Sequence, residues 1–155
     1  MSTVFHPGRR RWIAAAGALA GSHAIAQVVP AAPDVPGIRA LDEYRAGRGL
    51  KFGRVKLVVP RIADNGNAVS MRLIMDGPTT GDAGVRAIRL FSETNPVPLM
   101  ARFDFVVPPP RVEIESRIRL AGTQRVVAIA ELGDGSLEAD VASIIVTLAA
   151  CLDGS

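Results

Sequence analysis

Cys151 is the only cysteine in the 155-residue chain and the fifth residue from its C-terminus. A thiol can act as a nucleophile, a covalent attachment point or half of a disulfide. Exported proteins normally pair their cysteines within the fold. A single one therefore joins another molecule or does chemistry of its own. A third reading is a small apolar residue, buried and inert at the end of a strand. Strand parity continued from Val141 through Ile145 and Ala149 puts Cys151 on that same face. No Lys, Arg or His stands near it in sequence to stabilise a thiolate, and Asp153 disfavours the anion if it lies close. The expectation is a thiol with a pKa near or above the reference of about 8.5.

Two motif matches around Cys151 carry no function. Leu148-Ala149-Ala150-Cys151 has the form of a bacterial lipoprotein box, but such a box ends a signal peptide. A prenylation signal needs its cysteine fourth from the end, one position later than here.

The other end of the chain bears on the same question. Arg9, Arg10, Arg11 and Trp12 close a polar, basic start. A mildly apolar Ala/Gly stretch follows from Ile13 to about Gly21. Ala24-Ile25-Ala26 then supplies the small–x–small pattern of a cleavage site. The stretch is too short to span a bilayer. Adjacent arginines before a large apolar residue read as a twin-arginine signal, with the general secretory route as the alternative. Residues 1–26 are thus expected to be a cleaved export signal, and the working protein to be periplasmic.

Cleavage after Ala26 removes both histidines (His6, His23), the only tryptophan and three of the 18 Lys/Arg residues. It removes none of the 15 Asp/Glu, so the remaining 129 residues carry 15 charges of each sign. The sequence pI of 9.7 then belongs to the signal. No basic excess supports a nucleic-acid partner. Without histidine, neither a Ser–His–Asp nor a Cys–His pair can be assembled. A His-ligated metal site is equally out of reach, and one cysteine cannot make a zinc site. No resident cofactor or metal is expected.

The elements that must position the thiol come next. Residues 27–37, rich in Pro, Ala and Val, read as a mobile linker. Ile38, Leu41 and Tyr44 recur at helical spacing, with Gly47 placed to end a short helix. Strands are expected at Val55–Val59, Val69–Met75, Val85–Phe91, Leu99–Val107, Val112–Leu120, Val126–Leu132 and Val141–Leu148. In the fifth, Val112, Ile114, Ile118 and Leu120 alternate with Glu113, Glu115, Arg117 and Arg119, so one face is wet. The sixth is apolar on both parities, as a central strand would be. Asn65-Gly66-Asn67 and Asp134-Gly135 favour the positive φ of tight hairpins. Seven strands without long helices between them give an all-β, immunoglobulin-like antiparallel sandwich with a short N-terminal helix over 38–148, and an arm at 149–155. Asn95-Pro96-Val97-Pro98 reads as an ordinary connecting loop.

Five stretches resemble the SoxY family of the bacterial sulfur-oxidation (Sox) system. They are IADNGNAV (62–69), LFSETNPVP (90–98), ARFDF (101–105), RIRLAGTQRVVAIAELGDGS (117–136) and VTLAAC (146–151). The resemblance implies a non-enzymatic covalent sulfur carrier, exported by the twin-arginine route and paired with a SoxZ-like subunit. It implies substrate attachment at Cys151. Its expected visitors are a haem-containing conjugating enzyme, a dimanganese sulfohydrolase and a molybdenum–haem dehydrogenase; metals and haem belong to them. Family arms usually read Gly-Gly-Cys-Gly-Gly. Here Ala149 and Ala150 precede the cysteine, and Leu152, Asp153 and Gly154 follow it. Those residues are expected to form the flexible arm, stiffer and wider than a glycine one because Cβ atoms restrict φ. The competing function is an exported immunoglobulin-like binding module whose cysteine is idle or disulfide-linked.

Overall fold

Alternating side chains on β-strands can bury one face and wet the other, and the protein does this most clearly in its smaller sheet. The computed structural model describes residues 32–77 and 80–150. In chain order the elements are α1 (Arg39–Arg45), β1 (Leu50–Phe52), β2 (Val55–Val58), β3 (Ile62–Ala63), β4 (Val69–Met75), β5 (Val85–Ser92), β6 (Leu99–Asp104), β7 (Val112–Ile118), β8 (Gln124–Leu132) and β9 (Leu137–Val146). The small sheet is β2-β4-β7, antiparallel throughout. Val69, Met71, Leu73 and Met75 are buried, while Ser70 and Arg72 face out. The register sets Arg72 opposite Glu115. Arg72 pairs with Glu113 and with Glu115, and Arg111 with Glu113, which makes the wet face a cross-strand ion network.

The larger sheet runs β1-β9-β8-β5-β6, with β3 also paired to β9. Its β8, β5 and β9 are antiparallel neighbours. Val126, Ala128, Ala130 and Leu132 of β8 meet Leu90, Ile88 and the small sheet in the core between the layers. Val127 and Ile129 point the other way, into a second cluster with Ile38, Leu41, Phe91, Leu137 and Ala139. The helix α1 therefore explains why β8 is apolar on both parities: it covers the outer face of the large sheet. Leu41 is 1% exposed. Ala46 caps α1 in the left-handed conformation (φ 48°) and Gly47 follows at φ 78°, where glycine carries no steric cost.

The described end of the 27–37 segment touches the sandwich. Arg125 Nη1 donates to Asp34 Oδ2 at 2.7 Å, and Pro36 is buried. The export signal expected at 1–26 lies outside the described residues. No helix among the described residues is long and apolar enough to cross a membrane.

Several boundaries differ from expectation. Nine strands form among the described residues. The two additional ones, β1 and β3, are short and pair in parallel with β9. The last strand starts at Leu137 and ends at Val146, before Thr147 and Leu148. The edge strand β6 stops at Asp104, and Val107 is 76% exposed. Gly135 makes the expected tight turn at φ 80° between β8 and β9. Gly66 does not adopt positive φ; it opens a 3-10 turn whose preceding Asn65 accepts from the Asn67 N–H at 2.8 Å.

Candidate functional site: the root of the C-terminal arm

The chain leading to Cys151 is fixed by hydrogen bonds well past the end of β9. The Ile145 N–H donates to the Arg61 carbonyl at 2.9 Å, and the Thr147 N–H to the Ala63 carbonyl at 3.0 Å. Thr147 Oγ1 donates to the Asp64 carbonyl at 3.0 Å. The Val146 N–H is received by Thr123 Oγ1 at 3.0 Å. The parallel strand β3 and the loop after it thus continue the ladder along residues 145–148.

The last turns of this ladder converge on Gly66 and Leu120. The Gly66 N–H donates to the Leu148 carbonyl at 2.7 Å. The Leu120 N–H donates to the Gly66 carbonyl at 2.8 Å, and the Leu120 carbonyl accepts from the Ala150 N–H at 3.1 Å. Leu120 is fully buried and Ala150 is 6% exposed. A Cβ placed on Gly66 would stand 2.3 Å from the Leu120 oxygen and 2.8 Å from the Ala150 nitrogen. The glycine is required by the closeness of three backbone segments.

Asn95 holds the Leu120 turn from the other side. Its Nδ2 donates to the Arg119 carbonyl at 2.8 Å. Its Oδ1 accepts from the Ala121 N–H at 2.9 Å and from Gln124 Nε2 at 3.0 Å. Gln124 Oε1 in turn accepts from the Thr94 N–H at 3.1 Å. A carboxylate–guanidinium pair secures the same loop. Arg125 Nε and its N–H donate to Glu93 Oε2 at 3.0 and 3.1 Å, and Nη2 to Oε1 at 2.6 Å. The Arg125 hydrogen bond is the main reason the Glu93 carboxyl lies below its ordinary pKa, against a desolvation effect of opposite sign.

Among the expected site residues, Ala149 is exposed and Ala150 is buried at the root. Cys151, Leu152, Asp153 and Gly154 lie outside the described residues, as does the thiol's expected acidity. The flexible stretch expected from Ala149 onward thus has a fixed point at Ala150. Sequence reasoning gave Gly66, Asn95 and Leu120 only turn, loop and strand roles and did not connect them with the arm. A signal existed for them: four of the five family-like stretches (62–69, 90–98, 117–136 and 146–151) supply the groups just described. Elsewhere, a groove of about 650 Å³ opens on the small sheet and is lined by Val58, Ser70, Arg72, Glu115 and Arg117. It shares no residue with the root of the arm, and within it Arg72 pairs with Glu115.

Comparison with known proteins agrees with the residues. The family model "Sulfur oxidation protein SoxY" matches residues 44–151, ending on the cysteine itself. Among solved structures, the sulfur carrier protein SoxY from Chlorobium limicola f thiosulfatophilum is similar over 70% of this chain and 94% of its own. The identity is 26% and the TM-score 0.58. A superoxide reductase (neelaredoxin) from Ignicoccus hospitalis matches at 20% identity and TM-score 0.46, over 61% of this chain and 80% of that one. A putative superoxide reductase from Thermotoga maritima matches at 12% and 0.41, over 66% and 89%. Likeness at those last two levels supports no argument about function. No curated protein matches the sequence. With the family match spanning more than half of its length and a β-sandwich fold shared with a sulfur carrier, the chain belongs to the SoxY family of sulfur-oxidation proteins.

Proposed function

We propose that this protein is a periplasmic covalent sulfur carrier that holds its cargo on Cys151 and offers it to partner enzymes. The observation that carries the reading is the family match reaching residue 151, on a chain where that residue is the only thiol. The absence of histidine after residue 26 supports a carrier rather than an enzyme acting alone.

The chemistry follows from what a thiol can do. Loading forms a bond between the Cys151 sulfur and the sulfane sulfur of thiosulfate. The thiol proton leaves, and bond formation releases two electrons, which a haem-containing conjugating partner would accept one at a time. The product is a cysteine S-thiosulfonate. Water then cleaves the terminal sulfone as sulfate at a dimanganese partner, leaving a persulfide on Cys151. A molybdenum–haem partner oxidises the outer sulfur of that persulfide to a sulfonate, taking six electrons while three waters supply oxygen. A second hydrolysis releases sulfate and restores the thiol. In this sequence the carrier provides the attachment atom and its placement. Export through the twin-arginine route with a SoxZ-like subunit fits the basic leader and the family.

The test is a thiosulfate-oxidation assay reconstituted from the Sox enzymes with wild-type protein or Cys151→Ser. The proposal expects turnover with the first and none above background with the second. Equal rates would leave Cys151 without a carrier role and favour a binding module.

A further inference from the structure

In a glycine-flanked arm the residue before the cysteine is free to rotate. Here that residue, Ala150, is buried and hydrogen-bonded to Leu120 across Gly66. We infer that Gly66 is a positioning residue for the carrier arm: by letting Leu120 and residues 148–150 close over it, it sets the root of the arm at Ala150, the residue before the cargo cysteine. This rests on the carrier reading of Cys151 and adds to it where the tether begins.

The difference in reach is large. With the root held at Ala150, a single peptide link, about 3.8 Å between successive Cα atoms, is left between the anchor and the attachment residue. Were the chain free from the end of β9 at Val146, five residues would let it travel about 17 Å. The partner must therefore bring its reacting centre close to the body of the sandwich. A deep, narrow channel suits a long free arm; an arm rooted at Ala150 suits a shallow entry that also contacts the exposed surface at Asp64 and Asn65. The alanines that replace the usual glycines fit this arrangement. Ala150 needs no glycine freedom because its backbone conformation is held. Gly66, by contrast, cannot accept even one methyl group without moving backbone atoms.

The test uses the single thiol. A nitroxide label on Cys151 reports local motion in the wild type, in Gly66→Ala and in Ala150→Pro, which lacks the N–H that Leu120 accepts. The wild type is expected to give a broad spectrum and both variants a motionally narrowed one. Small-molecule loading by tetrathionate is a thiol exchange that releases thiosulfate and needs no partner surface. It should stay within about twofold across the three proteins. Loading by the haem conjugating enzyme should lose about 100-fold in kcat/KM in the variants, the cost of misplacing a reacting atom by about 1 Å.

Should Gly66→Ala not fold, Ala150→Pro and the amide exchange of Ala150 in the wild type decide the matter. That amide should be protected as strongly as those near the end of β9. An unprotected Ala150 amide, or equally narrow spectra in all folded proteins, overturns the inference. So does enzymatic loading that is indifferent to release. Failure of the carrier reading looks different: tetrathionate still modifies the wild-type thiol, but the enzyme loads none of the proteins, whatever their spectra.

Discussion

Replacing Asn95 by alanine isolates the contribution of one side chain to the turn that holds the arm. The amide makes three hydrogen bonds, to the Arg119 carbonyl, from the Ala121 N–H and from Gln124 Nε2, at 2.8 to 3.0 Å. Each such bond contributes about 1 kcal/mol net. The Arg119 carbonyl is near solvent and finds water when the amide is gone. The other two bonds are partly buried and more costly to lose. Asn95→Ala should then cost about 2 kcal/mol, and melting should fall by about 8 °C for a domain of this size. Asn95→Asp keeps the acceptor for Ala121 and Gln124 but turns an oxygen toward the Arg119 carbonyl. Its cost should be about half as large. Urea denaturation with a common m value gives both numbers, and amide exchange locates them. Exchange at Ala121 and Ala150 should rise in Asn95→Ala while that of β8 residues follows global stability alone. A change under about 0.5 kcal/mol for alanine, a typical surface value, would refute the reasoning. So would aspartate as harmful as alanine, or an Ala150 amide that does not respond.

Two ionisable groups give further predictions. Tyr44 is the chain's only tyrosine, so its phenolate absorbance is unambiguous. Burial first, and then the hydrogen bond its hydroxyl donates to Glu131 at 2.6 Å, push its pKa up to about 12. The folded protein therefore keeps the proton longer than the unfolded chain does. That contribution to stability is whole below about pH 10 and is lost as pH rises toward 12. An absorbance midpoint at the ordinary value near 10 would contradict the packing of Tyr44 beside Phe91. Glu93 works in the opposite sense: its pKa is depressed by Arg125, so its contribution is present above the unfolded value of about 4.3 and fades as pH falls below it. Melting temperature should drop less steeply on acidification in Glu93→Gln than in the wild type, and parallel curves would count against the pair.

What could be read from the sequence, and what could not, follows from the range of the interactions. The period-two runs of β4 and β7 were plain because half of each strand faces water. The apolar β8 was readable as central, and the spacing of Ile38, Leu41 and Tyr44 announced the helix that covers it. The strands β1 and β3 have only three and two residues. Neither holds a pattern, and both exist because β9, more than 80 residues later, offers a parallel edge. Gly66 was noticed, but for the wrong physical reason. An Asn-Gly pair suggests positive φ, whereas this glycine answers to the crowding of Leu120 and Ala150, which no local pattern reveals. The cysteine drew attention by position and rarity alone, while the anchoring of the residue before it depends on three segments meeting.

The most direct measurement of the central claim is the intact mass of this protein taken from its source cells grown on thiosulfate, before and after dithiothreitol. The account predicts a population heavier by sulfur, sulfonate or thiosulfonate, localised to Cys151 and returned to the bare chain by the reductant. A chain of unmodified mass in every sample, with thiosulfate being consumed, would contradict it.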